Sequence, residues 1–214
     1  MNESGVVKVI VGLAFAFLVS IVMLWMVDGY TIEGNQVGVE ESWGDGVNPQ
    51  PLEPRTHWYI FGFQYRIYVY DLSRQVYVMN NNTASSGEVG GGRDHDSYKV
   101  QSSDEQTMDI SMNVVWKLDP AKILKIHQEV RGGSFDNTNH TVEEKLLRPI
   151  LMKIAKDEAT RLKATEAYAG EGLVNLQNVI FQRLTDSELE EQGVIVENFV
   201  IERIDLDPQY LEEI

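Results

Sequence analysis

The longest apolar run is VIVGLAFAFLVSIVMLWMV, from Val9 to Val27, with Ser20 its only polar side chain and no charge. As a helix at about 1.5 Å per residue it reaches about 28 Å, close to the ~30 Å hydrocarbon core of a bilayer. The run therefore predicts a membrane-spanning helix, with Trp25 near one end at the interface. A cleaved signal peptide has a shorter apolar region and a small-residue cleavage site, which VDGYTIEGN does not offer. A core helix would carry a polar face. Lys8 and the terminal amine precede the run, whereas Asp28, Glu33, Glu40 and Glu41 follow it before the first basic residue, Arg55. The positive-inside rule then puts the short N-terminus in the cytoplasm and the rest of the chain across the membrane.

Beyond the run the period falls to two. In NQVGVEES, Val37 and Val39 alternate with Gln36, Gly38 and Glu40, which predicts a strand. WGDGVNPQPLEP reads as a loop. Further strands are predicted at Trp58–Ile60 and Tyr65–Tyr70, with Gly62 as a turn or bulge between them. TMDISMNVVWKL carries the clearest alternation. Met108, Ile110, Met112, Val114, Trp116 and Leu118 share one face, and Thr107, Asp109, Ser111, Asn113 and Lys117 the other. That pattern needs an antiparallel sheet with one buried and one wet face. SSDEQ before it predicts a hairpin turn back to SYKVQ. Residues 80–97, NNNTASSGEVGGGRDHDS, hold no large apolar side chain but Val89 and predict a mobile loop.

From Asp119 the period becomes helical. Asp119-Pro120 reads as a helix start, followed by an apolar face at Ile123, Ile126 and Val130 and a stop at Gly132 and Gly133. Thr141-x-x-Glu144 fits a capping box opening a longer helix whose stripe is Leu146, Leu147, Ile150, Leu151 and Ile154. Pro149 should kink or break it. A third helix is predicted from Leu173 to Glu190, with Leu173, Leu176, Ile180 and Leu184 inward and Gly193 just past its end. VIVENFVIERIDL is a closing strand, and Asp207-Pro208 begins a helix that the chain leaves at Ile214. The soluble part is thus α+β, with antiparallel strands first and amphipathic helices after.

Composition narrows the function. A net charge of −15 argues against nucleic acid and against an electrostatic grip on anionic lipid. The absence of cysteine excludes disulfides, thiolate nucleophiles and Cys-ligated zinc. His57, His95, His127 and His140 are scattered, and no hydrolase, P-loop, dinucleotide or zinc-protease motif is present. Asp94, His95 and Asp96 have metal-ligating chemistry, but adjacent residues in a mobile loop seldom converge on one ion, so the reading is a solvated loop. Gly90–Arg93 lacks the strand and helix of a phosphate cradle. His127 reads as a boundary residue of its helix. Asn81 and Asn139 match the glycosylation pattern at a rate close to chance. No catalytic, cofactor-binding or metal residue is assigned, and no cofactor.

The order of segments is nonetheless familiar. An apolar helix is followed by GNQVGVEESWG, PLEPRTHWYI, YRIYVYDLSRQVY, VQSSDEQTMDISMNVVWKLDPAKI, VEEKLLRPILMKIAKDEATRL and EEQGVIVENFVIERIDLDPQYLEEI. This resembles the SPFH or band 7 family of stomatin, prohibitin, flotillin and HflK/HflC, closest to the prohibitin and HflC-like branch. Pro54-Arg55 stands where members usually have Pro-Gly, Asp104-Glu105 where the hairpin often has Asp-Gly, and the Gly-rich stretch around 85–93 looks like an insertion.

The resemblance implies a short tail over 1–8, a transmembrane helix over 9–27, an SPFH domain over 28–206, and over 207–214 the start of a long C-terminal helix. It implies a non-enzymatic scaffold in a bacterial inner membrane facing the periplasm, or an equivalent organelle membrane. Such a scaffold assembles into rings or cages, alone or with a related SPFH protein. It organises a membrane microdomain and can restrain an AAA-type, FtsH-like membrane protease. The rival readings are a monomeric membrane-anchored binding domain and, more remotely, a membrane-bound hydrolase.

Overall fold

A computed structural model of the chain describes residues 11–18, 20, 26–80, 96–130, 138–168 and 170–207. The chain divides into two compact units after Val69. Residues 11–18 are helical, and Val11, Leu13, Phe15, Phe17 and Leu18 are all exposed. The rest of the predicted span, residues 9, 10, 19 and 21–25, lies outside the described residues. No helix among those described is long and apolar enough to cross a membrane. The last residue assigned to the span, Val27, is not helical, because it opens strand β1 (Val27–Thr31).

In the N-terminal unit β1 pairs antiparallel with β4 (Thr56–Ile60), Val27 opposite Ile60 and Thr31 opposite Thr56. A second sheet has the order β3-β2-β5, from β3 (Gly46–Val47), β2 (Gln36–Ser42) and β5 (Tyr65–Asp71). The stretch read as a loop after Ser42 thus contains one short strand and a bridge from Leu52 to Gly38. The apolar interior is small: Ile32, Val37, Val39, Ile67 and Tyr68. Tyrosines extend it. Tyr59 lies 4.6 Å from Tyr65 and meets Tyr30 edge-on at 5.8 Å. Its hydroxyl donates to Glu40 at 2.6 Å. Burial, and then this carboxylate, hold the Tyr59 hydroxyl above its ordinary pKa.

The C-terminal unit is built on β8 (Thr107–Leu118). One edge of β8 pairs with β6 (Gln75–Met79) and β7 (Tyr98–Gln101) in tandem, the other with β9 (Val194–Leu206) along its whole length. All pairings are antiparallel, and β9 carries two irregularities, opposite Ser111/Met112 and Val115/Trp116. The six residues assigned to the inner face of β8 are all buried. The predicted hairpin joins β7 to β8, with Glu105 at φ 65°. That is the left-handed conformation for which glycine is the natural choice.

The helical half differs from expectation in three places. Asp119 does start a helix: its carboxylate accepts from the Ala121 N–H at 3.0 Å, and a 3-10 turn (Pro120–Lys122) leads into α1 (Ile123–Val130). Thr141, however, does not stand at a helix start. It lies inside α2 (Thr138–Val142), and a π turn (Glu143–Leu147) follows before α3 (Arg148–Ala159). The wide turn is the break expected of Pro149: Arg148 N–H bonds back to the Glu143 carbonyl, and the α-helix restarts with Pro149 in its first turn. There the missing N–H is no loss. A short α4 (Ala164–Tyr168) was not foreseen. The predicted third helix is two: α5 (Glu171–Thr185) stops, and Ser187 caps α6 (Glu188–Gln192) through Leu189 N–H at 3.3 Å. A polar Asp186-Ser187 pair offers its own hydrogen bonds to the backbone there, and that competes with helix continuation. Gly193 stands past the end of α6 with φ 97°, as expected. Leu176, Ile180 and Leu184 are buried, whereas Leu173 and Ile150 are only half-buried.

Candidate functional site

Large aromatic side chains are normally consumed by a core, so their exposure in a small unit is informative. In the N-terminal unit Trp43, Trp58, Ile60, Phe61 and Phe63 are all exposed, Trp43 by 69% and Trp58 by 72%. The backbone brings them together. Trp43 occupies the turn between β2 and β3, where the Asp45 N–H is held by Ser42 Oγ at 3.0 Å. Phe63 lies in the 3-10 turn (Gly62–Gln64) between β4 and β5, and Phe61 immediately precedes it. The Trp43 N–H donates to the Gln64 carbonyl at 3.1 Å, which ties one tip to the other. The Phe63 ring then lies between Trp43, at 6.1 Å, and Phe61, at 6.0 Å, both edge-to-face.

Two glycines lie at the tip, and one of them is required. A Cβ on Gly62 would collide with the Asp28 carboxylate, so only glycine lets the turn close against β1. Gly29 lies opposite Trp58, and a Cβ there would come within 2.9 Å of the indole, which covers the bare backbone. On the same ribbon face, Val27 lies opposite Ile60 at the end nearest the tip. Phe61 itself is strained, with φ 60° and ψ 52°. For a bulky residue this left-handed conformation costs about 1–2 kcal/mol, and such outliers gather where function holds them. The Phe61 N–H donates to the Met26 carbonyl at 2.7 Å. The aromatic tip is thus pinned to the residue at which the apolar run gives way to β1.

None of these residues was singled out from sequence as functional. A signal was present: YIFGFQY sets two phenylalanines around a turn glycine, and Trp43 sits between Ser and Gly in a polar loop. Loops run over the surface, so aromatics there are candidates for exposure that the fold then decides.

The residues with metal-ligating, phosphate-binding or glycosylation chemistry in the sequence go elsewhere. Asp94, His95, Asn81 and Gly90–Arg93 lie outside the described residues. Asp96 is buried, and both its oxygens accept from the Arg148 guanidinium at the start of α3. Arg148 also donates to the Tyr77 hydroxyl at 2.7 Å. Burial pushes that hydroxyl up to about 12, with the guanidinium opposing the shift. Hydrogen bonding to Asp96 raises the Arg148 guanidinium above its ordinary value. Asp96 is therefore a structural anchor. The Asp96 N–H bonds the Asn80 carbonyl at 3.0 Å and closes the neck of the intervening segment.

His127 is not at a boundary. It is fully buried, with Nδ1 2.8 Å from the Tyr70 hydroxyl. Asn139 grips the Asp71 backbone at both ends of its amide, at 3.0 and 2.9 Å. His57 lies 2.9 Å from the Glu53 carbonyl, and His140 3.4 Å from Glu143. Glu143, on the π turn, is buried and accepts from the Trp116 indole at 3.3 Å. Burial raises its pKa, against the opposing pull of His140. Among the described residues no cluster of three or more His, Asp or Glu side chains is placed to hold a metal.

The family model described as SPFH domain / Band 7 family matches residues 30–214 of the chain. No curated protein matches it.

Proposed function

The chain belongs to the SPFH domain / Band 7 family, and from that premise we propose that it is a membrane-anchored, non-enzymatic scaffold whose aromatic tip rests in the bilayer surface. The observation that carries this reading is continuity. The apolar run ends at Val27, the first residue of β1, and Met26 and Val27 are bonded or paired to Phe61 and Ile60. A bilayer helix that ends before Met26 would leave almost no linker to β1, so Trp58, Ile60, Phe61, Phe63 and Trp43 would meet the interface, where amphipathic aromatics are favoured. The topology follows the charge asymmetry: a cytoplasmic tail over 1–8 and a domain beginning at residue 28 on the opposite side.

In this reading copies of the chain, or of this chain and a related SPFH protein, assemble side by side into a closed ring or cage, each contacting the next head-to-tail. Anchoring on one surface supports assembly, since it raises the local concentration of the subunits. The enclosed patch of membrane is the working product, and an FtsH-like protease within it is a client of the chemistry expected. Nucleic acid is no partner, given a net charge of −15.

Two measurements test the reading. Carbonate washing of membranes should leave the protein in the pellet, and mass photometry of the gently extracted protein should show a particle of many subunits. Release by carbonate overturns the anchor. A particle of one subunit overturns the scaffold and leaves the monomeric anchored binding domain.

A further inference from the structure

The aromatic tip carries a second feature, its charge. Within the N-terminal unit, residues 26–69 hold six carboxylates against two arginines. Their positions matter more than the count. Asp28 lies against Gly62, between the two phenylalanines, and is exposed. Asp45 is exposed two residues beyond Trp43. Arg55, by contrast, adjoins Thr56 at the far end of the β1–β4 ribbon, where Thr31 is paired. Arg66, three residues past Phe63, is engaged within the chain. The tip thus offers apolar rings with fixed negative charge around them and none of the free lysines that grip acidic lipid.

We propose that this tip is a headgroup selector: it inserts its rings into a leaflet of zwitterionic lipid and is turned away from anionic lipid. The inference rests on the reading that the tip meets the bilayer. A basic side chain near an acidic leaflet gains about fivefold in binding, and a carboxylate held at the same depth loses a comparable factor. The effect fades within about 8 Å at physiological ionic strength, so only charges at the tip itself contribute. Asp28 and Asp45 are those charges. Ring insertion depends on apolar area and is indifferent to headgroup sign. The two together select by repulsion rather than by attraction. An assembly of many such tips would enrich zwitterionic lipid beneath its rim.

The test uses the full chain reconstituted into vesicles of phosphatidylcholine, alone or with about one third phosphatidylglycerol, a share large enough to set an acidic surface potential. Brominated acyl chains report the depth of tryptophan. The signal of the tip is the quenching lost in the Trp43→Phe, Trp58→Phe double variant. Tip quenching should be at least about twofold stronger in pure phosphatidylcholine, and the difference should vanish in about 1 M salt, where screening shortens to ~3 Å. The Asp28→Asn, Asp45→Asn variant should insert equally in both vesicles. Equal or stronger quenching of the unaltered protein in the acidic vesicles overturns the selector while leaving membrane contact intact. No tip quenching in either vesicle overturns both, and makes the rings a docking surface for protein.

Discussion

Trp58 in the N-terminal unit is 72% exposed, and Trp116 in the C-terminal unit is fully buried, its indole N–H donating to a buried Glu143. Each stands on an antiparallel strand. The difference lies in what the units must bury. The C-terminal unit has a strand of twelve residues, β8, whose inner face is wholly covered. The N-terminal unit has two small sheets and only a handful of buried aliphatics, joined by Tyr30, Tyr59 and Tyr65. Aromatic area is put into stability in one unit and into a surface in the other. Rings held outside by a strained Phe61 and a tight turn at Gly62 cost folding energy, and such outliers gather at functional surfaces.

The comparison breaks most visibly at Met112. Asp in its place would leave an unpaired carboxylate at the centre of β8, a cost of several kcal/mol. The C-terminal unit should lose its cooperative thermal transition. A folded Met112→Asp protein would mean that the inner face is not the stabilising centre of the unit.

The tryptophans supply the next test. Trp116→Ala should cost about 3–5 kcal/mol in urea unfolding, as for other buried aromatics. Trp58→Ala should stay within about 0.5 kcal/mol while weakening membrane contact. Equal losses at both positions would erase the distinction between the units.

Smaller effects should appear at the two left-handed residues, with different consequences. Phe61→Gly and Glu105→Gly each relieve positive-φ strain and should stabilise the protein by about 1 kcal/mol. Only Phe61→Gly should reduce insertion of the tip. If Phe61→Gly destabilises, the ring is part of a core and the surface assignment fails.

The smallest expected effect is a slope with pH in the C-terminal unit. Burial raises the Glu143 pKa above its ordinary 4.5. A raised group contributes stability below its unfolded pKa that is lost as pH rises through its folded pKa. The melting temperature should therefore fall as pH rises above about 4.5, and Glu143→Gln should flatten that fall. Glu197 acts in the opposite direction. Lys117 and then Arg74 hold it below the usual carboxylate range, so its contribution is lost on the acid side, as pH falls through the lowered value. Glu143→Gln should leave that acid limb unchanged, and an unchanged fall above about pH 4.5 in that variant would show that another group titrates there.

The inner face of β8, the antiparallel hairpin to β7, the Asp119 cap, the stop at Gly193 and the α+β order were all legible from sequence. Each rests on a local rule: a period of two, a cap within three residues, a glycine where φ must be positive. A run of residues decides such features by itself, because strand pleat, helix pitch and backbone sterics are set within a turn or two of chain. What the sequence left open depends on partners far away along it. Asp96 meets Arg148 across 52 residues and His127 meets Tyr70 across 57. Neither contact is encoded by spacing, so a loop aspartate and a boundary histidine turned out to be interior groups. The break near Pro149 was legible as well, but its form, a π turn, and the stop at Asp186-Ser187 were not; the apolar stripes continue through both. The aromatic tip belongs to the same class. Trp43 and Phe63 are each a plausible core residue in isolation. Only the pairing of two turns, and a sheet core that among the described residues of this unit is too shallow to take them in, decides that they face outward.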